Sequence, residues 1–253
     1  MDLKHAVAQR FEAAAAAYAS SVLHAAGPDL RALVDAAQQG DLARVLDVGC
    51  GPGHTTLALA PHAGAVVGLD LSAAMLTQGR RLAAERGLAN LTFEQGDVEQ
   101  LPFADASFDT VTSRFSAHHY PDPAAALAQI ARVLAPGGTF LLVDTVAPET
   151  PVADTYLNAV EVLRDPSHAR NHTTAQWLAM LAAAGLTGAV LGSYPLRIDF
   201  TSWVARTSTP PAAAAQIRAL LTHAPAEVRA VLLPEDDGSF TIPVALIRAT
   251  KTH

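Results

Sequence analysis

Cysteine is almost missing from this chain of 253 residues: Cys50 stands alone. An internal disulfide and a cysteine-rich metal site are therefore both excluded. Cations are also few, 17 Lys and Arg against 24 Asp and Glu, and they are scattered. A net charge of −7 disfavours binding along nucleic-acid backbones, which needs a basic surface. The longest local basic feature, Arg80-Arg81, reads as part of an exposed helix face. No uninterrupted apolar run reaches the ~20 residues of a membrane-spanning helix, and much of the apolar content is alanine. The opening Met1-Asp2-Leu3-Lys4-His5 lacks a basic segment followed by an apolar one, so a cytoplasmic location is the default expectation. These absences favour a small-molecule substrate. They leave no metal, membrane or nucleic acid among the expected partners, and the chain is expected to act as a monomer or homodimer.

What is present is a regular alternation. Residues 4–38 read as helical, broken at Gly27-Pro28. Arg44 to Val48 is a short apolar strand that enters a Gly/Pro cluster, and a helix starts at Thr55. Ala65 to Leu71 is a second strand, with Ser72 as cap of the helix 73–86 that Gly87 closes. Leu91–Gln95, Phe108–Ser116 and Thr139–Val146 read as further strands, with a helix over 123–134 that Pro136-Gly137-Gly138 ends. This is βαβ repetition with connections of helix length, which predicts a parallel sheet covered on both faces. After Pro148 the rhythm loosens. Helices are predicted over 151–163 and 174–184, a strand over 189–200, a loose helical zone over 211–232 and a last strand over 240–248.

The chemistry concentrates in Asp47-Val48-Gly49-Cys50-Gly51-Pro52-Gly53, a glycine-rich turn between a strand and a helix. Glycine there allows positive φ and close backbone approach to a ligand. A dinucleotide fingerprint, G-x-G-x-x-G, would want Gly or Ala at position 54, where His54 stands. Instead an acid, Asp47, precedes the first glycine. Asp70 ends the second strand and Asp97 follows the third, so three acids at consecutive strand ends face one rim. Ligands of open α/β sheets bind at that rim.

In that order, Val45 to Gly53, Gly68-Leu69-Asp70-Leu71-Ser72, Gly96 to Phe103, Phe108-Asp109-Thr110-Val111 and Arg132 to Gly138 resemble the class I S-adenosylmethionine-dependent methyltransferases. Within that class the chain is similar to the small-molecule branch that contains the quinone-biosynthesis C-methyltransferases. The resemblance implies an α/β, doubly wound, seven-stranded and mostly parallel sheet with an antiparallel last strand and helices on both faces. It implies one methyltransferase domain over 1–253. Its parts are a helical lid (1–40), a cofactor-binding core (41–147), a substrate-covering lobe with a late strand (148–237) and a final strand (238–253). S-adenosyl-L-methionine is the implied cofactor. The Gly49, Cys50, Gly51 and Gly53 backbone would lie along its methionine and ribose. Asp70 would hold the ribose hydroxyls, Leu71 and Met75 border the adenine, and Asp97 with Val98 take the adenine amino group and ring. Asp47 would orient the turn and the cofactor amino group. In this branch an N-terminal helix closes over the cofactor, which makes Tyr18 a contact near the sulfonium, with Phe11 on the same helical face.

Methyl transfer from a sulfonium is an in-line displacement in which the protein supplies alignment, dryness and sometimes a base. The segment Arg114 to Asp122 should reach the methyl-donor end, with Arg114 among the cofactor contacts. Its neighbours His119 and His118 are the candidate bases. In extended chain adjacent histidines point oppositely, so one of the two is expected to face the site. His24, Arg164 and His168 are the candidate substrate contacts, and the polar segment 163–172 reads either as part of the substrate cover or as a surface loop. The expected acceptor is a small, partly apolar or aromatic metabolite, methylated on C or O. Two rivals stand beside it. One is a noncatalytic S-adenosylmethionine-binding protein. The other is an NAD-dependent oxidoreductase, disfavoured by His54 and by the lack of a Tyr-x-x-x-Lys pair. RNA methylation would want an Asn/Asp-Pro-Pro-aromatic tetrad, which Tyr120-Pro121-Asp122-Pro123 does not supply.

Overall fold

A computed structural model describes residues 2–252. Met1 and His253, the outermost residues of the expected lid and final strand, lie outside them. Strands β1 (Arg44–Val48), β2 (Ala65–Asp70), β3 (Leu91–Gln95), β4 (Phe108–Arg114), β5 (Leu134–Thr145), β6 (Leu186–Ile198) and β7 (Phe240–Lys251) form one sheet in the order β3-β2-β1-β4-β5-β7-β6. The β1–β2, β1–β4, β2–β3 and β4–β5 pairs are parallel, and β7 runs antiparallel to both its neighbours. The expected seven-stranded sheet with one reversed final strand is therefore present. β1 carries Val45, Leu46 and Val48 fully buried, as a strand covered on both faces requires. The strand order reverses between β1 and β4, so a crevice opens past their carboxyl ends.

The helices α4 (His54–Leu59), α5 (Ala73–Glu85) and α6 (Pro123–Val133) begin where local chemistry predicts. Ser72 caps α5 by accepting the Met75 N–H at 3.2 Å, and Asp122 caps α6 by accepting the Ala125 N–H at 3.0 Å. The N-terminal region differs from a helix interrupted once. Three helices stand there: α1 (Leu3–Ala19), α2 (Val22–Ala26) and α3 (Pro28–Ala37). Ser20 ends α1 by turning its hydroxyl back onto the carbonyls of Ala16 and Ala17.

Past β5 come α7 (Pro151–Arg164), α8 (Thr174–Ala183), α9 (Phe200–Arg206), α10 (Pro211–Thr222) and α11 (Ala226–Leu232). α9 corrects the reading of a strand through Phe200. Asp199 accepts the Ser202 N–H at 2.8 Å, caps a helix and turns the chain, so that Phe200 and Trp203 enter a second core with Leu157, Ile217, Leu221 and Phe240. Trp177 belongs instead to the main core under the sheet. β5 begins at Leu134 instead of Thr139, because Leu134 pairs with Phe108 before a register shift restores regular pairing at Thr139–Thr110.

The segment 165–173 is no surface loop. Asp165, Ser167, His168 and Asn171 are buried, and the Ala169 and Arg170 amides donate to the His118 carbonyl at 2.9 and 3.1 Å. His168 and His172, four residues apart, lie on this irregular segment and separate. His168 packs toward His118, and His172 lies against the Trp177 ring.

Candidate active site: two cavities with one shared wall

The glycine-rich turn leaves β1 with Gly49, Gly51 and Gly53 all at positive φ. A side chain at Gly49 would place its Cβ 2.5 Å from the Ser116 side chain, so packing as well as φ demands glycine. Asp47 sits behind the turn, 1% exposed, accepting from Thr56 Oγ1 at 2.7 Å and Thr112 Oγ1 at 2.8 Å. Burial raises its pKa to about 6 against the pull of those two hydroxyls. Of the two roles implied for Asp47, bracing the turn fits these contacts. Its carboxyl is not on the cavity wall. Asp70 accepts the Gly51 N–H on one oxygen at 2.8 Å and the Ser72 N–H on the other at 2.9 Å. Burial pushes its pKa up, while those amides pull it down.

The turn, Asp70 and the end of β3 wall a cavity with about 960 Å³ of empty space, part of it open to solvent. Gly49, Cys50, Gly51, Asp70, Leu71, Met75, Asp97, Val98, Arg114 and Tyr18 all line it. Gly53 and Asp47 do not. Gly53 is turned toward Phe93, 2.7 Å from where a Cβ would stand. Helix α1 closes the opposite side with Lys4, Val7, Phe11 and Tyr18. It is pinned at each end and in the middle. Lys4 bridges Asp97 at 2.6 Å and Glu99 at 2.5 Å. Glu12 accepts from Ser72 Oγ at 2.5 Å and from the Ala74 N–H at 3.2 Å. His54 donates from Nε2 to the Tyr18 carbonyl at 3.0 Å, leaving Nδ1 buried without a partner among the described residues. Arg114 is buried; Nε donates to Asp29 at 2.6 Å and Nη1 to the His24 carbonyl at 2.8 Å. Its Nη2 has no partner among the described residues.

A second cavity, with about 580 Å³ of empty space that is also partly open to solvent, meets the first along Phe11, Tyr18, His24, Phe115 and His119. Its other walls include His118, Thr145, Glu161, Arg164, Trp203 and Arg206. His118 and His119 do not alternate as in extended chain. They occupy a 3₁₀ turn (Ala117–His119), and their rings lie 4.3 Å apart. Both therefore reach the second cavity, and environment separates them. His118 Nδ1 is 2.6 Å from Asp144 Oδ1, and the His118 N–H donates to the same carboxylate at 3.1 Å. Burial opposes a charged His118, but Asp144 outweighs it and the pKa is raised. His119 donates from Nδ1 to the Ser167 carbonyl at 2.9 Å. Burial, then the neighbouring His118, press its pKa down to about 3, so its ring is neutral with Nε2 unprotonated. His168 lines neither cavity. It sits behind the other two, pressed down to about 2 by burial, and reaches Asn158 at 3.2 Å.

Sequence reasoning overlooked Asp144, Glu161, Arg206 and Lys4. Asp144 was accessible by the rule that found Asp70 and Asp97, since it closes the apolar run Phe140-Leu141-Leu142-Val143 of β5. Nothing in the local sequence of Arg206 or Lys4 distinguishes them from solvated helix residues.

Residues 46–142 match the family model described as a methyltransferase domain. Over 212 residues, 84% of this chain and 84% of the other, the protein is 41% identical to the uncharacterized methyltransferase YcgJ of Bacillus subtilis strain 168. The chain belongs to the class I methyltransferases. The crystal structure of YcgJ has the same fold, with a TM-score of 0.85 at 38% identity, covering 89% of this chain and 98% of that one. The protein YafE of Escherichia coli K12 is 43% identical over 199 residues, 79% of this methyltransferase and 96% of YafE. A demethylmenaquinone methyltransferase of Staphylococcus saprophyticus is 39% identical over 112 residues, 43% of this chain and 47% of that enzyme. The family assignment sets aside the oxidoreductase reading. Among the described residues no helix is long and apolar enough to cross a membrane, and no cluster of three or more His, Cys, Asp or Glu is placed to hold a metal.

Proposed function

We propose that this methyltransferase moves a methyl group from S-adenosylmethionine to a carbon or oxygen of a small, partly apolar or aromatic acceptor. The observation that carries the reading is the shared wall: two cavities, one lined by strand-end acids and one by an Asp-held histidine, meet at Phe11, Tyr18 and His119.

The residues of the first cavity fit the donor. Asp70 spends one lone pair of each oxygen on a backbone amide and keeps another for each of two ribose hydroxyls. Leu71, Met75 and Val98 supply apolar contacts for the adenine, and Asp97 an acceptor for its amino group. Arg114 lines this cavity and its Nη2 is a buried cationic donor with no partner among the described residues, which suits the donor's carboxylate. When bound, the donor supplies a sulfonium-activated methyl group for in-line displacement.

The chain's part is alignment, exclusion of water and removal of a proton. His118 has its Nδ1–H held by Asp144, which leaves Nε2 as the base facing the second cavity, in the same division of roles as an Asp-His pair that activates a hydroxyl. Asp144 raises its pKa while His119 is pressed down, which makes His118 the stronger base of the two rings. His119, held neutral at the junction, serves as a fixed wall and hydrogen-bond acceptor. Aromatic faces of Phe11 and Tyr18 complete the junction, where a cationic sulfonium is favoured.

Calorimetric titration with S-adenosylmethionine, S-adenosylhomocysteine and NADH, followed by methyl-label transfer to a panel of phenols and quinols, tests the reading. Binding of both adenosyl-sulfur compounds and label on a panel member are expected. Binding with no label transfer on any acceptor would favour a noncatalytic role, and no adenosyl-sulfur binding sinks the proposal.

A further inference from the structure

The second cavity holds more positive charge than methyl transfer from a sulfonium to a neutral acceptor requires. Arg206, at the end of α9, lines it half-buried and makes no hydrogen bond or ion pair with any described residue. Arg164 lines it too, and is buried. Its nearest carboxylate, Glu161, is 3.8 Å away, and its other contacts are the Trp203 carbonyl at 3.4 Å and the Trp203 ring at 4.9 Å. Glu161 is the one carboxylate among the lining residues, and burial moves it toward its neutral form. His118 faces the same space, and Asp144 stands behind it. Neither guanidinium is saturated: Arg206 has no hydrogen-bond or ion-pair partner among the described residues, and Arg164 has only one neutral carbonyl and one carboxylate at 3.8 Å. The arrangement makes physical sense when a ligand completes it.

We propose that the methyl acceptor is an anion, an apolar or aromatic body bearing a carboxylate or phosphate ester that Arg206 and Arg164 grip. The walls between them suit such a body: Ile198, Ile242, Leu196 and the Trp203 ring are apolar. A planar fork of N–H donors matches a carboxylate or phosphate bidentately, and burial at the cavity wall strengthens the pairing. The word acceptor rests on the methyl-transfer reading; the anion site itself does not.

Three probes of one shape separate the possibilities: 2-naphthoate, 2-naphthyl phosphate and the neutral 2-naphthamide. Their binding is measured by calorimetry, with and without saturating S-adenosylhomocysteine, to the wild-type protein and to Arg206→Gln. At least one of the two anions should bind about tenfold or more tighter than the amide, and that preference should fall about tenfold in the variant while amide affinity stays the same. The ranking of carboxylate against phosphate identifies the acidic group. Equal affinity for all three, no binding of any at millimolar concentration, or a preference that survives Arg206→Gln overturns the proposal. If Arg206→Gln loses S-adenosylhomocysteine affinity through misfolding, Arg206→Lys replaces it. Keeping the charge without the fork, that variant should retain part of the preference, and full retention overturns the bidentate grip. If the wild type binds no S-adenosylhomocysteine, the methyl-transfer reading fails, while the anion preference measured without it still decides the site.

Discussion

The two cavities are built by opposite means. The first is made largely of backbone and of acids at the ends of neighbouring parallel strands: the Gly51 amide, Asp70 and Asp97, each fixed by the sheet register and by turns. The second takes its largest side chains from helices, with Arg164 on α7, Trp203 and Arg206 on α9, and Phe11 and Tyr18 on α1. One region holds a ligand by geometry that few sequences can provide. The other holds it by side chains that many sequences could exchange. The strands also reach the second cavity, through Thr145, Leu196, Ile198 and Ile242, but its charged groups stand on helices, where exchange disturbs the sheet least.

Substitutions should separate the regions, and the largest effect is expected at His118. With any acceptor the wild type turns over, His118→Ala should lower turnover about 10²- to 10⁴-fold while S-adenosylhomocysteine affinity changes little. Equal loss of both would make His118 structural and would dissolve the division between the cavities. Next, Asp70→Ala should weaken S-adenosylmethionine by about 2–3 kcal/mol in calorimetry, since it removes two charge-assisted bonds and frees the Gly51 amide. The same variant should leave naphthyl-probe binding in place; unchanged donor affinity would mean that the ribose sits elsewhere.

A third effect depends on pH. His119 and His168 are buried neutral, with folded pKa values of about 3 and about 2, below the ordinary 6.5. The unfolded chain therefore binds their protons first, and stability falls as pH drops below about 6.5. His118, whose pKa is raised, acts in the opposite sense: its contribution is full below about 6.5 and fades as pH climbs through its folded value. Between pH 7 and pH 5 the His119 contribution alone is on the order of 2 kcal/mol. His119→Gln should flatten the decline in melting temperature over that range, and an unaltered slope would place the ring in water. Smallest is Lys4→Met. The bridge to Asp97 and Glu99 is partly exposed, so its loss should cost less than about 1 kcal/mol of stability, read from denaturant unfolding. It should speed release of S-adenosylhomocysteine in stopped-flow, and an unchanged rate would show that the end of α1 does not guard the cavity.

The contrast between the regions also explains what could be read from the sequence. β1, β2, β3 and the turn between Asp47 and Gly53 are contiguous patterns whose period and glycine placement follow from local sterics, so sheet and turn were both legible. Asp70 and Asp97 were legible because a strand end fixes where a side chain points. His118 and His119 were found as a pair but not as a geometry: the 3₁₀ turn that sets their rings side by side is closed by local hydrogen bonds, and by a buried segment some 50 residues on that docks on the His118 carbonyl. Arg206 lies on a helix that was hidden because Asp199, its cap, follows an apolar run that reads as strand. Arg206 acquires meaning only from Arg164 and Glu161 on α7, which meet it through tertiary packing alone.

Helix α1 ties these halves together. Phe11 and Tyr18 wall both cavities, Lys4 and Glu12 fasten the helix to the sheet side, and Arg10 reaches Asp165 and the Arg164 carbonyl on the lobe side. The consequence is kinetic. Were α1 to move, both compartments would lose a wall at once, so release of S-adenosylhomocysteine and of a naphthyl probe should quicken or slow together in stopped-flow.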